Sequence, residues 1–225
     1  MRILNCITDF NHYFSAQTLH PQVAVAELFR ADFSLFDTKV YDMYALIMID
    51  GVFGELIRDG KPLPYTKGSL VTIRPGQSIE MKMDYTTKPQ GWMLAFKPEL
   101  LEKTGLGRDF YMFSYFNSDY SEAIRLTDME YGVIKNCFAN LYAELNTPKD
   151  HLSGQMIRLG IGTLLSYVKR YFEKQHTTSV LRSETLVGKL DTLLDKYLGS
   201  GLPAQHGQPT VTWCATQFNL SPNYF

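Results

Sequence analysis

Between residues 33 and 96 the apolar positions fall into short runs separated by turn residues. Phe33–Phe36, Tyr44–Ile49, Val52–Ile57, Gly68–Arg74, Ile79–Met83 and Gly91–Phe96 read as strands, and Ile79-Glu-Met-Lys-Met83 alternates as a half-buried strand does. Asp50-Gly51 is a tight hairpin signal between the second and third runs, Asp59-Gly60 marks another turn, and Pro75-Gly76 ends the fourth run. Before residue 30 the pattern is less decisive: His20-Pro21 is a break, and Val23, Val25 and Leu28 fit the start of a strand. Six or more short strands with Gly/Pro turns at this spacing predict a small sandwich or barrel.

After Pro98 the period changes. Gly105 and Gly107 break the chain, and Phe110–Phe116 is a dense aromatic run expected to pack as core. Asp128 is placed to cap a helix carrying Ile134, Phe138, Leu141 and Leu145 on one face, ending before Pro148. Asp150 or Ser153 caps the next, where Ile157, Ile161, Leu164, Leu165, Val168 and Phe172 form a wide stripe. One side of that stripe packs on the preceding helix as a helical hairpin. The flank of Met156, Gly160, Thr163 and Tyr167 carries small residues, which suit either packing on the barrel or close approach of a second chain.

Glu173–Ser179 reads as a linker, and Leu186, Leu190, Leu193, Leu194 and Tyr197 then repeat helically. Thr210 can cap a short helix with Val211, Cys214, Ala215 and Phe218 on one face. Asn219 suits its stop, and Ser221-Pro222 the start of another helix. Helix, three-residue turn, capped helix is the spacing of a DNA-binding helix-turn-helix.

The run Pro-Thr-Val-x-x-Cys-Ala…Asn-Leu-Ser-Pro-Asn-Tyr-Phe225 resembles the first helix-turn-helix of AraC-type transcription regulators, particularly those of the Bacteroidetes. The ordered motifs Asp59-Gly, Pro64-Tyr65, Gly68-Ser-Leu, Arg74-Pro-Gly-Gln77, Gly91-Trp92 and Phe96-x-Pro98-Glu-Leu-Leu101 resemble their N-terminal cupin-like domain. The resemblance spans roughly residue 30 to 225. It implies an α+β chain: an N-terminal cupin-like (double-stranded β-helix, or jelly-roll) barrel over 1–125, a helical hairpin for dimerisation over 126–176, and an incomplete all-α helix-turn-helix region over 184–225. By resemblance, Met156, Gly160, Thr163 and Tyr167 form the dimer face. Thr210 and Thr212 meet phosphate, Ser221 and Pro222 open the recognition helix, and Asn223 takes its first base-reading position, where Asn can contact adenine. In the family that helix runs on and a second helix-turn-helix follows, so the reader is expected to be incomplete at Phe225.

Composition narrows the chemistry. The chain has 225 residues, 45% of them hydrophobic and 20% charged, with a net charge of -1. That is an ordinary globular chain, without the basic excess of a complete nucleic-acid binder. No signal sequence and no stretch of about 18 apolar residues is present. Three widely spaced cysteines, Cys6, Cys137 and Cys214, suit a reducing cytoplasm better than a disulfide framework. A metal-dependent cupin needs histidines converging inside its barrel. Here His12, His20, His151, His176 and His206 all lie outside residues 21–150, so no metal and no cofactor is expected. Nucleophile and nucleotide-binding motifs are missing as well.

What remains for the barrel is a pocket that binds without reacting, with Tyr44, Met48, Tyr65, Arg74 and Trp92 as lining and Arg74 facing an acidic ligand. Each also reads as packing or surface, and the barrel can be too filled for any ligand. The expected function is promoter binding by the intact protein, as a homodimer, in response to a small-molecule effector. The alternatives are a metal-independent cupin-fold enzyme and a pure dimerisation module.

Overall fold

A computed structural model describes residues 2–31, 39–83, 88–102, 104–108, 110–116, 122–176 and 207–218, together with Leu190, Leu193, Leu194 and Tyr197. In chain order the strands are β1 (Arg2–Leu4), β2 (Val23–Glu27), β3 (Lys39–Tyr41), β4 (Tyr44–Ile49), β5 (Gly54–Arg58), β6 (Lys61–Pro62), β7 (Ser69–Ile73), β8 (Ser78–Met83), β9 (Gly91–Phe96) and β10 (Ile124–Arg125). The helices are α1 (Ile7–Tyr13), α2 (Gly105–Arg108), α3 (Asp128–Asn146), α4 (Ser153–Gln175) and α5 (Val211–Gln217). The chain is α+β with two five-stranded sheets, ordered β1-β3-β8-β5-β6 and β10-β7-β4-β9-β2. Every pairing is antiparallel except β1 with β3, and neither sheet closes on itself.

The strand read over Phe33–Phe36 lies outside the described residues. Asp50-Gly51 proves not to be a hairpin: β4 pairs with β7 and β9, while β5 pairs with β6 and β8 in the other sheet. The link instead carries the chain from one sheet to the other, and Phe53 at its end is buried in the core between them. Asp59-Gly60 is a true hairpin turn joining β5 to β6, both residues having positive φ (50° and 75°), as a type I′ turn requires.

Side chains alternate across a strand, so each sheet offers two faces to bury. From the second sheet, Ala45, Ile47, Ile49, Val71, Ile73 and Met93 point inward and meet Leu56, Ile79 and Met81 of the first, with Phe10 of α1 in the same cluster. The opposite face, with Leu46, Met48, Leu70, Leu94 and Phe96, is equally buried, because α3 packs over β2 and β9 and α4 over β10 and the 114–116 turn. The first sheet has no such cover at Glu55 and Lys82, which are exposed.

Helix α3 is capped by Thr127, one residue before the expected Asp128. The Glu130 backbone N donates to Thr127 Oγ1 (3.4 Å), and the Thr127 N donates to the Glu130 carboxylate (2.9 Å), a reciprocal capping box. Threonine wins because its partner three residues on is a glutamate, and Asp128 then serves the positive first turn. At the start of α4 the Asp150 carboxylate accepts from the backbone N of Leu152 and Ser153 (2.8 and 2.9 Å), while Ser153 Oγ accepts from Asp150 N (3.1 Å). Those bonds, first that from Leu152, hold the Asp150 carboxyl below its ordinary value.

Tyr115 ties the helical layer to the sheet: its hydroxyl donates to the Leu165 carbonyl of α4 (3.0 Å), and its own carbonyl accepts from Thr72 Oγ1 of β7 (3.0 Å). The Gln175 side-chain amide both donates to and accepts from the Arg125 backbone, fixing the far end of α4 on β10. Residues 1–125 and 126–176, read separately from the sequence, fall within one compact unit, Met1–Gln175.

The second unit is His176–Phe225. Among its described residues Leu190, Leu193, Leu194 and Tyr197 are helical. Thr210 Oγ1 accepts from Trp213 N (3.1 Å) to cap α5, and Tyr197 packs its ring 4.6 Å from that of Trp213 while donating to the Gly207 carbonyl (3.0 Å).

Candidate functional site

Among the described residues the space between the two sheets is closely packed: Ala45, Ile47, Ile49, Ile73 and Phe10 are fully buried there. Of the five residues expected to line an interior pocket, only Tyr65 packs against this core. Its hydroxyl accepts from Phe53 N (3.1 Å) and donates to the Gly54 carbonyl (2.8 Å), so its polar end is spent on fixing the entry to β5.

Tyr44, Met48 and Trp92 point the other way, which corrects the interior reading. Each is one residue out of step with the inward-facing Ala45, Ile47, Ile49 and Met93, and Met48 pairs across the ladder with both Leu70 and Trp92. Trp92 meets Tyr142 of α3 edge-on at 5.3 Å. Tyr44 packs against Phe96, Phe110 and Phe116 at 5.5, 4.6 and 4.8 Å. That cluster gives the aromatic run its place, and burial there raises the Tyr44 hydroxyl pKa while the nearby Arg74 charge opposes the rise. Arg74 follows β7 and is half-buried; its backbone N donates to Gln77 Oε1 (3.0 Å) and its carbonyl accepts from Gln77 N (3.1 Å), closing the Pro75-Gly76 turn. The five residues therefore do not converge on one pocket.

Open space lies instead along α4. Leu152, Met156, Leu159 and Thr163 follow one another at i, i+4, i+7 and i+11, so they form a single ridge. Met156 is 51% exposed and Leu159 58%. One groove beside the ridge, about 280 Å³, is lined by Cys137, Leu141 and Glu144 of α3 and by Met156, Gly160 and Thr163. On the other side a cleft of about 610 Å³ lies between α4 and the Thr104-Gly105 segment, with Arg158, Leu159, Gly162, Tyr167 and Arg170 among its walls.

The four residues read as a dimer face divide on this geometry. Met156 and Thr163 are exposed on the ridge, and Tyr167 is half-buried, stacked 6.0 Å from Tyr171. Gly160 faces inward, toward α3. A Cβ built there would stand 2.8 Å from Leu141 Cδ2, so its smallness already serves the contact within the hairpin. Leu159 was missed because it lies off the buried stripe. Arg158 and Arg170 were missed because single charges on a helix usually mark a solvated face.

Thr210 and Thr212 flank the start of α5, with Thr210 engaged as the cap; Ser221, Pro222 and Asn223 lie outside the described residues. Cys6 is exposed, Cys137 half-buried and Cys214 buried, none in a disulfide. Among the described residues no group of three His, Cys, Asp or Glu side chains comes together as a metal site, and no helix is long and apolar enough to cross a membrane. No family model and no curated protein matches the chain.

Proposed function

We propose that this chain is the sensor and dimerisation part of an AraC-type transcription regulator, its two sheets forming a cupin-like jelly roll and its second unit belonging to a DNA reader. The observation that carries the reading is the exposed apolar ridge Leu152, Met156, Leu159 and Thr163, flanked on both sides by grooves. Helices associate by seating the ridge of one in the groove of another, and a two-fold pair of α4 helices seats each ridge in the partner's smaller groove, beside Met156, Gly160 and Thr163. The capped helix α5, with Cys214 and Ala215 buried, is consistent with the first helix of a helix-turn-helix. In this reading Thr210 and Thr212 approach phosphate, Asn223 reads a base, and the intact protein binds promoter DNA as a cytoplasmic homodimer. The filled core between the sheets weighs against an enzyme acting there.

Sedimentation at tens of micromolar is expected to give a dimer that Met156→Lys with Leu159→Lys dissociates; a wild-type monomer removes the dimer reading. Fluorescence anisotropy at low salt tests the reader separately, with this chain beside a longer one carrying two complete helix-turn-helix units. Sequence-specific binding by the longer chain is the expected result, and its failure to bind any promoter fragment ends the regulator reading.

A further inference from the structure

The larger cleft on α4 has a positive character that no acidic side chain answers among the described residues that line it. Arg158 and Arg170 are twelve positions apart, which places them about 18 Å apart along the helix and about a third of a turn apart around it. They therefore stand at diagonally opposite corners of the cleft, with Leu159, Gly162, Ser166 and Tyr167 between them. Neither takes part in an ion pair among the described residues.

Both guanidinium groups are nevertheless positioned. Arg158 is half-buried and leans back over Gly154, where a Cβ would stand 3.4 Å from its Nη1. Arg170 lies over the Tyr167 ring, its guanidinium carbon 5.5 Å from the centroid. The closest acid in sequence to Arg158 on this helix end, Asp150, already accepts the first backbone N–H groups of α4. Near the same corner, His20 has its pKa lowered by burial and then by the charges of Lys149 and Arg158, so the local potential is positive. A half-buried arginine with no carboxylate partner keeps its planar set of N–H donors for an anion, and the cleft's volume is that of a small-molecule site.

We propose that this cleft binds an organic anion with an apolar body. The acidic group is held by the Arg158 fork, the body lies on Leu159, Gly162 and the Tyr167 ring, and Arg170 closes the far end. The site goes beyond the regulator reading and does not need DNA binding.

The test is titration of the full chain with 1-anilinonaphthalene-8-sulfonate, followed by fluorescence, beside N-phenyl-1-naphthylamine, which has the same aromatic body without the sulfonate. The expected result is saturable binding of the sulfonate at one site per chain. Arg158→Gln should weaken it about tenfold, the low end for a charge-assisted hydrogen bond, and Arg170→Gln about threefold, as for an exposed charge. The neutral probe should bind more weakly and ignore both substitutions. Ser166→Trp, at an exposed position in the cleft, should block both probes without altering charge. Circular dichroism confirms that each variant keeps its fold. Equal binding of the two probes overturns the proposal. So does an Arg158→Gln affinity within twofold of wild type, or unchanged binding by Ser166→Trp. Variants that change the sedimentation coefficient instead of probe affinity overturn it in favour of a second copy of the chain as occupant.

Discussion

β4 and β8 are both six residues long, and each is the middle strand of its five-stranded sheet. They nevertheless bury their residues differently. In β4 every residue from Ala45 to Ile49 is buried, whereas in β8 Ile79 and Met81 are buried and Lys82 is exposed. The cause lies outside the strands. α3 and α4 cover the far side of the second sheet, whereas the far side of the first is exposed at Glu55 and Lys82. A strand's composition thus reports what lies on both of its faces, and the apolar run of β4 is a record of the helical hairpin.

The largest effect should come from truncating the helix-facing side of that run. Met48→Ala should cost about 2–4 kcal/mol, as much as truncating the inward Ile47, measured by urea denaturation. A much smaller loss would mean that the hairpin does not press on the sheet. Next, Gly160→Val should cost about 1–3 kcal/mol by overpacking against Leu141. Adding Leu141→Ala should recover part of it in a double-mutant cycle, and strictly additive losses would contradict the contact. Tyr115→Phe should cost about 1 kcal/mol by removing the donor to the Leu165 carbonyl.

Glu130 sharpens the comparison through pH. Burial works against its ionisation, but hydrogen bonds from Thr127 and Lys174 outweigh that and hold its pKa below the ordinary value. A lowered folded-state pKa stabilises above the unfolded-chain value of about 4.3, and the contribution is lost as pH falls from there through the folded value. Glu130→Gln should therefore destabilise the fold at pH 7 by no more than about 1 kcal/mol, and by steadily less as pH falls below the unfolded-chain value. A loss that does not shrink with falling pH would mean the carboxylate charge is not what matters. The smallest effect should be Lys82→Ser on the water-facing side of β8, within about 0.5 kcal/mol.

Local patterns were legible in the sequence, and pairings were not. The stripes of α3 and α4 could be read because a helix repeats within a few residues. The alternation of Ile79–Met83 marked the exposed sheet for the same reason. Which sheet a strand joins is decided by residues far away, so Asp50-Gly51 reads locally as a hairpin although its two strands part company. The interior assignment of Tyr44, Met48 and Trp92 failed for a related reason. In an uninterrupted apolar run, neighbouring positions such as Ile47 and Met48 look alike, and no polar residue marks the outer face. Gly160 was legible as small, but not as facing Leu141. The cleft at Arg158 and Arg170 needs the Thr104-Gly105 segment beside α4, a neighbour fifty residues away in the chain.

The Tyr115 clasp has a mechanical consequence. One residue is tethered at its carbonyl to a strand and at its hydroxyl to a helix, both at 3.0 Å. Hydrogen bonds of this kind tolerate only about half an ångström of stretch. A push on α4 along its axis can therefore travel no farther than that before it drags the 114–116 turn or breaks the joint.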